Sequence, residues 1–503
     1  MTASLENTTV LIVGAGIMGT GIAQVAAQAG HPVMLFDVDS TAAARAKNQL
    51  VNIFEKLVAK GKFSEQSCAQ TLSRIEPVGS LNDAANAGLV VEAVVEDIEI
   101  KRSLLQQLEG VVSEDCVLAT NTSSISVSAI ANGMQHPQRL VGMHFFNPVA
   151  LMKLVEVVSG LQTSTAVAAS ILALAESWGK VAVHARSTPG FIVNRIARPF
   201  YAESLALLHE QAATPEVLDS CLRGAGFRMG PCELMDLIGH DTNLSVTRSV
   251  YAANFSDRRY APSLVQQEMV DGGLLGRKSG RGFYDYNKQA EIAGAEFLAP
   301  TALPCSDNLS VHGSGNVAER FVNELEKRDC LFEHIDASDW IGLQVAGAQL
   351  RLTDGRPAGQ IGTEVAVFDL PLTDESGSAL AWSHAASASD QWIGDAEQWL
   401  AIFGFQPQFI ADAPGLVVAR TIAMLINEAA DAVQQGVCTV DDANSAMKLG
   451  VNYPAGPFEW LANWDTNAVI ELLDRLDSCY RGERYRVSPW LRQQGWQSRA
   501  SEK

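Results

Sequence analysis

The residues best suited to proton transfer are His144 and Glu156, which lie twelve positions apart in the chain. His144 lies in the apolar stretch 139–146 (RLVGMHFF) and Glu156 in 152–158 (MKLVEVV), and both stretches predict strands. Because side chains alternate along a strand, Glu156 shares a face with apolar residues, where a carboxylate is costly unless paired. An imidazole on a neighbouring strand would pair with it, and the second ring nitrogen could then act as a general base. A His–Glu pair that merely closes a strand end is the alternative that these residues leave open.

A second group of residues suits the binding of a nucleotide. The apolar run VLIV is followed at once by GAGIMG, which places Gly14, Gly16 and Gly19 in a G-x-G-x-x-G pattern before an Ala-rich helical stretch. Such a turn lets a pyrophosphate approach the backbone at a helix N-terminus. Asp37 follows the next apolar run, where its carboxylate would accept hydrogen bonds from ribose hydroxyls and would repel a 2′-phosphate. The pattern favours NAD over NADP, and a glycine-rich turn in another α/β fold is the alternative.

The elements that must position these residues are strands alternating with helices. Further apolar runs at 88–96, 116–121 and 139–146 are separated by helical stretches, which is typical of a doubly wound sheet. Polar clusters at 119–124 (ATNTSS) and 143–148 (MHFFNP) follow two of these strands. Ligands of open α/β sheets bind beyond the carboxyl ends of the strands. The sequence therefore predicts a Rossmann-like α/β domain with its site at that edge.

Six motifs together resemble the L-3-hydroxyacyl-CoA dehydrogenase family, in its order and spacing, over roughly residues 8–286. They are GAGIMGTGIAQVAAQAGHPV, VVEAVVED, NTSS, HFFNPVALMKLVEVV, TPGFIVNR and MGPCELMDLIGHDT. The resemblance implies NAD in a first domain and an acyl-CoA in the cleft between this domain and a helical one. It implies oxidation of a (S)-3-hydroxyacyl-CoA to the 3-oxoacyl-CoA.

The resemblance also implies roles for four residues. His144 would take the proton of the 3-hydroxyl, and Glu156 would orient His144 and stabilise its charged form. Ser123 would hydrogen-bond the substrate oxygen, and Asn194 would contact the substrate and help to position His144. From the residues alone, Ser123 also fits a helix cap and Asn194 a helix amide facing solvent.

The resemblance implies two sets of ligand-binding residues. The cofactor set is Gly14, Gly16, Ile17, Met18, Gly19, Asp37, Glu96, Lys101 and Ser123. The coenzyme A set is Lys60, Asn147 and Lys278, although a surface lysine in water is the alternative for each lysine. Two positions depart from the family pattern, because Ile53 replaces a hydroxyl residue and Ser187 replaces an aspartate.

The second half of the chain repeats part of the first at an offset of 225 or 226 positions. TPGFIVNR at 188–195 corresponds to APGLVVAR at 413–420, and MGPCEL at 229–234 to AGPFEW at 455–460. Ala419 stands where the first copy has Asn194, so the second copy is expected to be non-catalytic. Two helical copies in one chain suggest an internal pseudo-dimer, and a homodimer is also possible.

These observations predict a Rossmann-like NAD domain, an all-α domain, a small α/β segment and a second, degenerate all-α domain. The predicted bounds are 1–186 for the NAD domain, 187–286 for the helical substrate or dimerisation domain, 287–411 for a small α/β insert or decayed Rossmann-like unit, 412–490 for the second helical copy, and 491–503 for a tail. The stretch GSGNVA at 313–318 lacks the spaced third glycine, so it predicts no second nucleotide site.

Composition excludes several other classes of protein. A net charge of −20 argues against nucleic acid and anionic membranes as partners. The eight cysteines are scattered without a CxxC pair, which favours a reduced, cytoplasmic setting, and no metal-ligand spacing is present. The N-terminal residues predict no secretory signal and no stretch predicts a membrane span.

The tandem architecture is similar to bacterial 3-hydroxyadipyl-CoA dehydrogenases of phenylacetate catabolism and to 3-hydroxybutyryl-CoA dehydrogenases. A sugar-acid dehydrogenase and a non-catalytic, crystallin-like use of the fold are the alternatives.

Overall fold

The computed structural model describes residues 5–287 and 308–501. The chain divides into two compact units, Met1–Arg195 with Ala432–Val451, and Ile196–Asp431 with Asn452–Lys503. Among the described residues, no helix is long and apolar enough to cross a membrane. Within the same ranges, no group of three His, Cys, Asp or Glu side chains could hold a metal ion.

The first unit contains an eight-stranded sheet. Its strands are β1 (Val10–Val13), β2 (Val33–Phe36), β3 (Ile75–Pro77), β4 (Leu89–Glu92), β5 (Val117–Thr120), β6 (Leu140–Phe145), β7 (Leu154–Ser159) and β8 (Val181–Arg186). Their order is β3-β2-β1-β4-β5-β6-β7-β8, and all neighbours pair in parallel except β6 and β7. Strands β1, β4, β5 and β6 are buried along their whole length, as expected for a sheet covered on both faces. The predicted doubly wound fold is confirmed.

Helices lie between the strands of this unit, and α7 follows β8. They are α1 (Ile17–Gln28), α2 (Ala42–Ala59), α3 (Glu65–Ser73), α4 (Ile98–Glu109), α5 (Val127–Ile130), α6 (Thr165–Ser177) and α7 (Val193–Ile196). Polar residues begin several of them, and Asp97 accepts hydrogen bonds from the N–H groups of Glu99 and Ile100 at the start of α4.

The second unit contains a seven-stranded sheet. Its strands are β9 (Leu309–His312), β10 (Glu333–Ile335), β11 (Gly342–Val345), β12 (Ala348–Leu352), β13 (Val365–Phe368), β14 (Ser378–His384) and β15 (Phe405–Phe409), in the order β10-β9-β11-β12-β13-β14-β15. The last four strands pair parallel, antiparallel and parallel in succession. Strands β5 to β8 of the first sheet pair in the same three senses.

Helices complete the second unit. They are α8 (Arg198–His209), α9 (Pro215–Gly224), α10 (Pro231–Ile238), α11 (His240–Ala253), α12 (Leu264–Asp271), α13 (Asn316–Glu326), α14 (Ala358–Ile361), α15 (Asp390–Ile402), α16 (Val418–Gln434), α18 (Pro457–Asn463), α19 (Thr466–Tyr480) and α20 (Pro489–Ser501), whereas α17 (Val440–Gly450) belongs to the first unit. Helical regions therefore follow each sheet, as the sequence predicted.

Helix α17 packs on strands β7 and β8, although α17 begins 281 positions after the end of β7 and 254 positions after the end of β8. The approach is close, because a Cβ on Gly450 would lie 2.7 Å from Leu154 and 2.9 Å from Val193. The N–H of Arg186 at the end of β8 donates to the carbonyl of Val437 at 2.9 Å. Helix α17 of the second helical copy thus covers part of the first sheet.

The two helical copies share reciprocal ion pairs within the second unit. Glu203 contacts Arg484 at 2.9 Å and Tyr485 at 3.0 Å, and Glu428 contacts Arg259 at 3.3 Å and Tyr260 at 2.5 Å. Each of these residues lies 225 positions from its counterpart. A two-fold interface has this property, because residue i of one copy contacts j of the other and j contacts i.

The described cysteines do not behave alike. Six of them are free, whereas Cys330 is disulfide-bonded. The even scatter of cysteines in the sequence did not indicate this bond.

Candidate active site

Strand register places His144 directly opposite Glu156 on the antiparallel pair β6 and β7. The imidazole Nδ1 lies 2.6 Å from Glu156 Oε2, and both side chains are buried. The N–H of Phe145 donates to Asn121 Oδ1 at 2.9 Å, so the end of β6 is also fixed to the loop after β5. With Nδ1 held by the carboxylate, Nε2 is the ring nitrogen that can take a proton from a substrate.

The second oxygen of Glu156 holds a different element. Oε1 accepts hydrogen bonds from the backbone N–H groups of Ile192 at 2.9 Å and Val193 at 3.0 Å. These residues lead into α7, on which Asn194 is half-buried. One carboxylate therefore positions both the imidazole and the helix that carries Asn194.

The glycine-rich turn lies at the carboxyl end of β1. Gly14 has a φ of 106°, and a Cβ there would lie 2.5 Å from the carbonyl oxygen of Ala93. A Cβ on Gly19 would lie 1.8 Å from the carbonyl oxygen of Gly14, so both positions require glycine. By contrast, a Cβ on Gly16 would meet no atom within 4 Å, which leaves open space beside the N-terminus of α1.

Asp37 lies against the same turn. Its Oδ2 accepts the N–H of Ala15 at 2.7 Å and its Oδ1 accepts the N–H of Asp39 at 3.0 Å. Ile17 is largely exposed and Met18 is half-buried at the start of α1. The open space at Gly16 and the carboxylate at the end of β2 fit a dinucleotide with an unsubstituted ribose 2′-hydroxyl.

A buried lysine organises the loop that carries Ser123. Lys101 is 1% exposed and pairs with Glu92 at 2.6 Å and with Glu96 at 3.2 Å. Glu96 Oε1 accepts hydrogen bonds from the hydroxyl of Thr122 at 2.7 Å and from the N–H of Ser123 at 3.0 Å. Burial alone would raise the pKa of Glu96, but Lys101 and these donors outweigh it and hold the pKa below its ordinary value. Glu96 is therefore a fixed anion beside Ser123.

The three residues assigned to coenzyme A lie in less constrained surroundings. Lys60 is exposed at the C-terminal end of α2, and Asn147 is exposed in the turn after β6, where the bond to Pro148 is cis. Lys278, in the second unit, pairs with Asp241 at 2.5 Å. The structure brings His144 and Glu156 together and brings Glu96, Lys101 and Ser123 together.

Sequence reasoning missed three polar residues of this site. Glu92 is fully buried at the end of β4, where Thr120 Oγ1 donates to its Oε2 at 2.6 Å. An acid in the middle of the apolar run 88–96 was the available signal for Glu92. Asn121 and Thr122 follow β5 in the polar cluster 119–124, in which only Ser123 has a role predicted from the sequence.

Comparisons with known proteins agree with this geometry. Residues 9–188 match the family described as 3-hydroxyacyl-CoA dehydrogenase, NAD binding domain, and residues 190–286 and 415–503 match its C-terminal domain. Residues 350–414 match the 3-hydroxybutyryl-CoA dehydrogenase reduced Rossmann-fold domain.

One curated relative and one solved structure are similar to nearly the whole chain, and another relative is similar to just over half of it. The 3-hydroxyadipyl-CoA dehydrogenase of Escherichia coli (strain K12) is 42% identical over 487 residues, which cover 96% of this chain and 97% of the relative. A probable 3-hydroxybutyryl-CoA dehydrogenase of Bacillus subtilis (strain 168) is 39% identical over 57% of this chain and 99% of its own. A crystal structure of 3-hydroxybutyryl-CoA dehydrogenase from Escherichia coli K12 has a TM-score of 0.88 and 41% identity, covering 99% of this chain and 100% of that one. The chain is an NAD-dependent oxidoreductase and belongs to the 3-hydroxyacyl-CoA dehydrogenase family.

Proposed function

We propose that this enzyme oxidises (S)-3-hydroxyacyl-CoA to 3-oxoacyl-CoA with His144 as the general base. The observation that carries the proposal is the buried 2.6 Å contact between His144 Nδ1 and Glu156 Oε2. Nε2 takes the proton of the substrate 3-hydroxyl, and Glu156 stabilises the imidazolium that forms. NAD, when bound, supplies the acceptor for the hydride that leaves C3. Ser123 hydrogen-bonds the substrate oxygen, and Asn194 contacts the substrate.

The residues proposed to hold NAD follow from the turn and its surroundings. They are Gly14, Gly16, Ile17, Met18, Gly19, Asp37, Glu96, Lys101 and Ser123. Lys60, Asn147 and Lys278 are proposed to contact coenzyme A. Lysine side chains are suited to this role because the ligand is polyanionic and the protein carries a net charge of −20.

The proposed acyl chain is the six-carbon dicarboxylic chain of 3-hydroxyadipyl-CoA, as in phenylacetate catabolism in the cytoplasm. The extent of the similarity supports this substrate. The match to the Escherichia coli 3-hydroxyadipyl-CoA dehydrogenase covers 96% of this chain and 97% of that enzyme. A four-carbon substrate is the second candidate, because the solved structure with a TM-score of 0.88 is that of a 3-hydroxybutyryl-CoA dehydrogenase.

An NADH oxidation assay tests both statements. Acetoacetyl-CoA should be reduced, and kcat/KM should be higher for 3-oxoadipyl-CoA than for acetoacetyl-CoA. A higher kcat/KM for the four-carbon substrate would reverse the chain-length assignment, and no turnover of any 3-oxoacyl-CoA would refute the proposed function.

We further propose that residues 412–490 replace a partner subunit within one chain, with catalysis restricted to 1–186 and 187–286. The reciprocal contacts of Glu203 and Glu428 support this pseudo-dimer, since each copy offers its glutamate to the Arg-Tyr pair of the other. Residues 287–411 are proposed to be a decayed counterpart of the first sheet, of which 288–307 lie outside the described residues.

A further inference from the structure

Phe191 has a backbone conformation that residues other than glycine rarely adopt. Its φ is 48°, and its side chain is buried at 1% exposure. For an aromatic residue such a conformation is costly, and it persists only where the surrounding structure enforces it. Its ring centroid lies 5.8 Å from that of His144, with the two planes at 64°. A strained residue in contact with the general base invites a functional explanation.

The strained backbone at Phe191 has a structural role. Gly190 and Phe191 both have positive φ, and the next two N–H groups, of Ile192 and Val193, then donate to Glu156 Oε1. Because Glu156 Oε2 holds His144 Nδ1, the turn fixes the carboxylate that fixes the base. This role involves only the backbone and does not explain why the side chain at position 191 is aromatic.

The second helical copy shows that the turn can form without an aromatic side chain. Gly415 and Leu416, the counterparts of Gly190 and Phe191, have φ values of 70° and 49°. The N–H groups that follow donate to the carboxylate of Asp369. The same turn therefore forms with a leucine where its carboxylate holds no imidazole. The aromatic side chain is present in the copy whose turn faces a histidine.

We propose that the Phe191 ring is a positioning residue for His144. Together with Phe146, whose centroid lies 4.5 Å from that of the imidazole, it confines the imidazole to the orientation in which Nδ1 meets Glu156. A leucine in its place preserves the turn but leaves room for the imidazole to tilt. Nε2 then loses its alignment with the substrate hydroxyl. This inference rests on the proposed role of His144 as general base.

The test uses the full-length enzyme and the variant Phe191→Leu, which installs the side chain of the second copy. We expect kcat to fall about 10- to 100-fold, the scale on which misplacing a reacting group slows a reaction. KM for the acyl-CoA and the Kd of NADH, measured by fluorescence, should stay within about 3-fold, because no ligand contact is removed. The primary isotope effect on kcat with substrate deuterated at C3 should rise, since the chemical step becomes slower than product release.

Two methionine variants provide the matched comparison. Phe191→Met removes the ring with a flexible side chain and should reproduce the fall in kcat, so it tests the inference even if Phe191→Leu does not fold. Leu416→Met places the same side chain at the corresponding position of the second copy and should leave kcat within about 2-fold. A wild-type kcat and isotope effect in either Phe191 variant, or an equal fall in Leu416→Met, would overturn the inference. Absence of any 3-oxoacyl-CoA turnover by the wild type would instead refute the proposed function.

Discussion

Asp369 stands in the second sheet at the position that His144 occupies in the first. On β6 and β7 the register pairs His144 with Glu156, whereas continuing the register of β13 and β14 pairs Asp369 with Ala381, whose carbonyl accepts the Asp369 N–H at 2.9 Å. The next strands agree. Glu156 pairs with Val183 and Ala381 pairs with Gln408, and these two partners are 225 positions apart.

The carboxylate has thus moved from one strand to the other while keeping its backbone contacts. Asp369 accepts hydrogen bonds from the N–H groups of Val417 at 2.9 Å, Val418 at 2.6 Å and Ala419 at 2.8 Å. These donors correspond to Ile192, Val193 and Asn194. The second unit keeps the part of the arrangement that holds the helix, with Asp369 at the position of the imidazole and Ala419 at the position of the amide.

Replacing Asp369 with Ala is therefore expected to affect stability and not catalysis. Three buried N–H groups would lose their acceptor, and each buried donor left without one costs about 1–3 kcal/mol. We expect a loss of at least about 3 kcal/mol in urea unfolding and a lower Tm, with kcat per folded molecule unchanged. Glu156→Ala is the contrasting variant, since it should lower both stability and kcat. If Asp369→Ala lowered kcat under conditions in which the variant is fully folded, the assignment of Asp369 to stability alone would be wrong.

Replacing His144 with Gln removes the proton acceptor while keeping a polar side chain in the pocket. If His144 is the general base, kcat should fall by about 10²–10⁴. The Kd of NADH should not change, because the glycine-rich turn and Asp37 follow β1 and β2, whereas His144 lies on β6. Steady-state kinetics and NADH fluorescence measure the two quantities. Weakened substrate binding with an intact kcat would be the opposite result and would remove His144 from that role.

Asn194 and Ala419 provide an exchange between the two copies. Asn194→Ala should reduce kcat/KM, because it removes the amide from the helix that Glu156 fixes beside His144. Ala419→Asn should leave kcat unchanged, because its helix is held by Asp369, which stands at the position that His144 occupies in the first sheet. Both variants are assayed with the same 3-oxoacyl-CoA, and equal effects on turnover would show that the copies are not functionally distinct.

The strands and the His–Glu pair could be predicted because both depend on local pattern. Apolar runs locate buried strands, and alternation places Glu156 on the apolar face. The partners of the second Glu156 oxygen could not be predicted, since backbone N–H groups carry no residue signature. The packing of Gly450 on Leu154 was equally hidden, because it depends on how a distant helix folds back and not on spacing. The alternation of apolar and polar residues also did not identify Glu92 or its ion pair with Lys101. Such alternation indicates which face of a sheet a side chain lies on, but not which side chain it contacts.

Removing residues 412–503 should make the remaining protein self-associate. Helix α17 covers Leu154 and Val193, which are almost fully buried in the intact chain, and the deletion would expose them. Exposed apolar patches of this kind promote association. Size-exclusion chromatography with light scattering should show aggregates for the truncated chain and a smaller species for the intact one. A soluble, monomeric and well-folded fragment 1–290 would contradict the pseudo-dimer.

Glu203→Gln should destabilise the enzyme in a way that depends on pH. Glu203 is fully buried, and although burial raises its pKa, Arg484 and Arg420 outweigh this and hold the pKa below its ordinary 4.5. A depressed pKa means that the ionised carboxylate contributes stability above about pH 4.5 and that this contribution is lost as pH falls through the lower, folded-state pKa. Breaking a buried ion pair on one side costs about 3–5 kcal/mol. The difference in urea unfolding free energy between wild type and variant should therefore be largest near pH 7 and should narrow below pH 4.5.

Glu428→Gln should cause a similar loss of stability at pH 7, since Glu428 makes the reciprocal contacts with Arg259 and Tyr260. A difference that stays constant from pH 7 to pH 4 would show that Glu203 contributes by packing and not by charge.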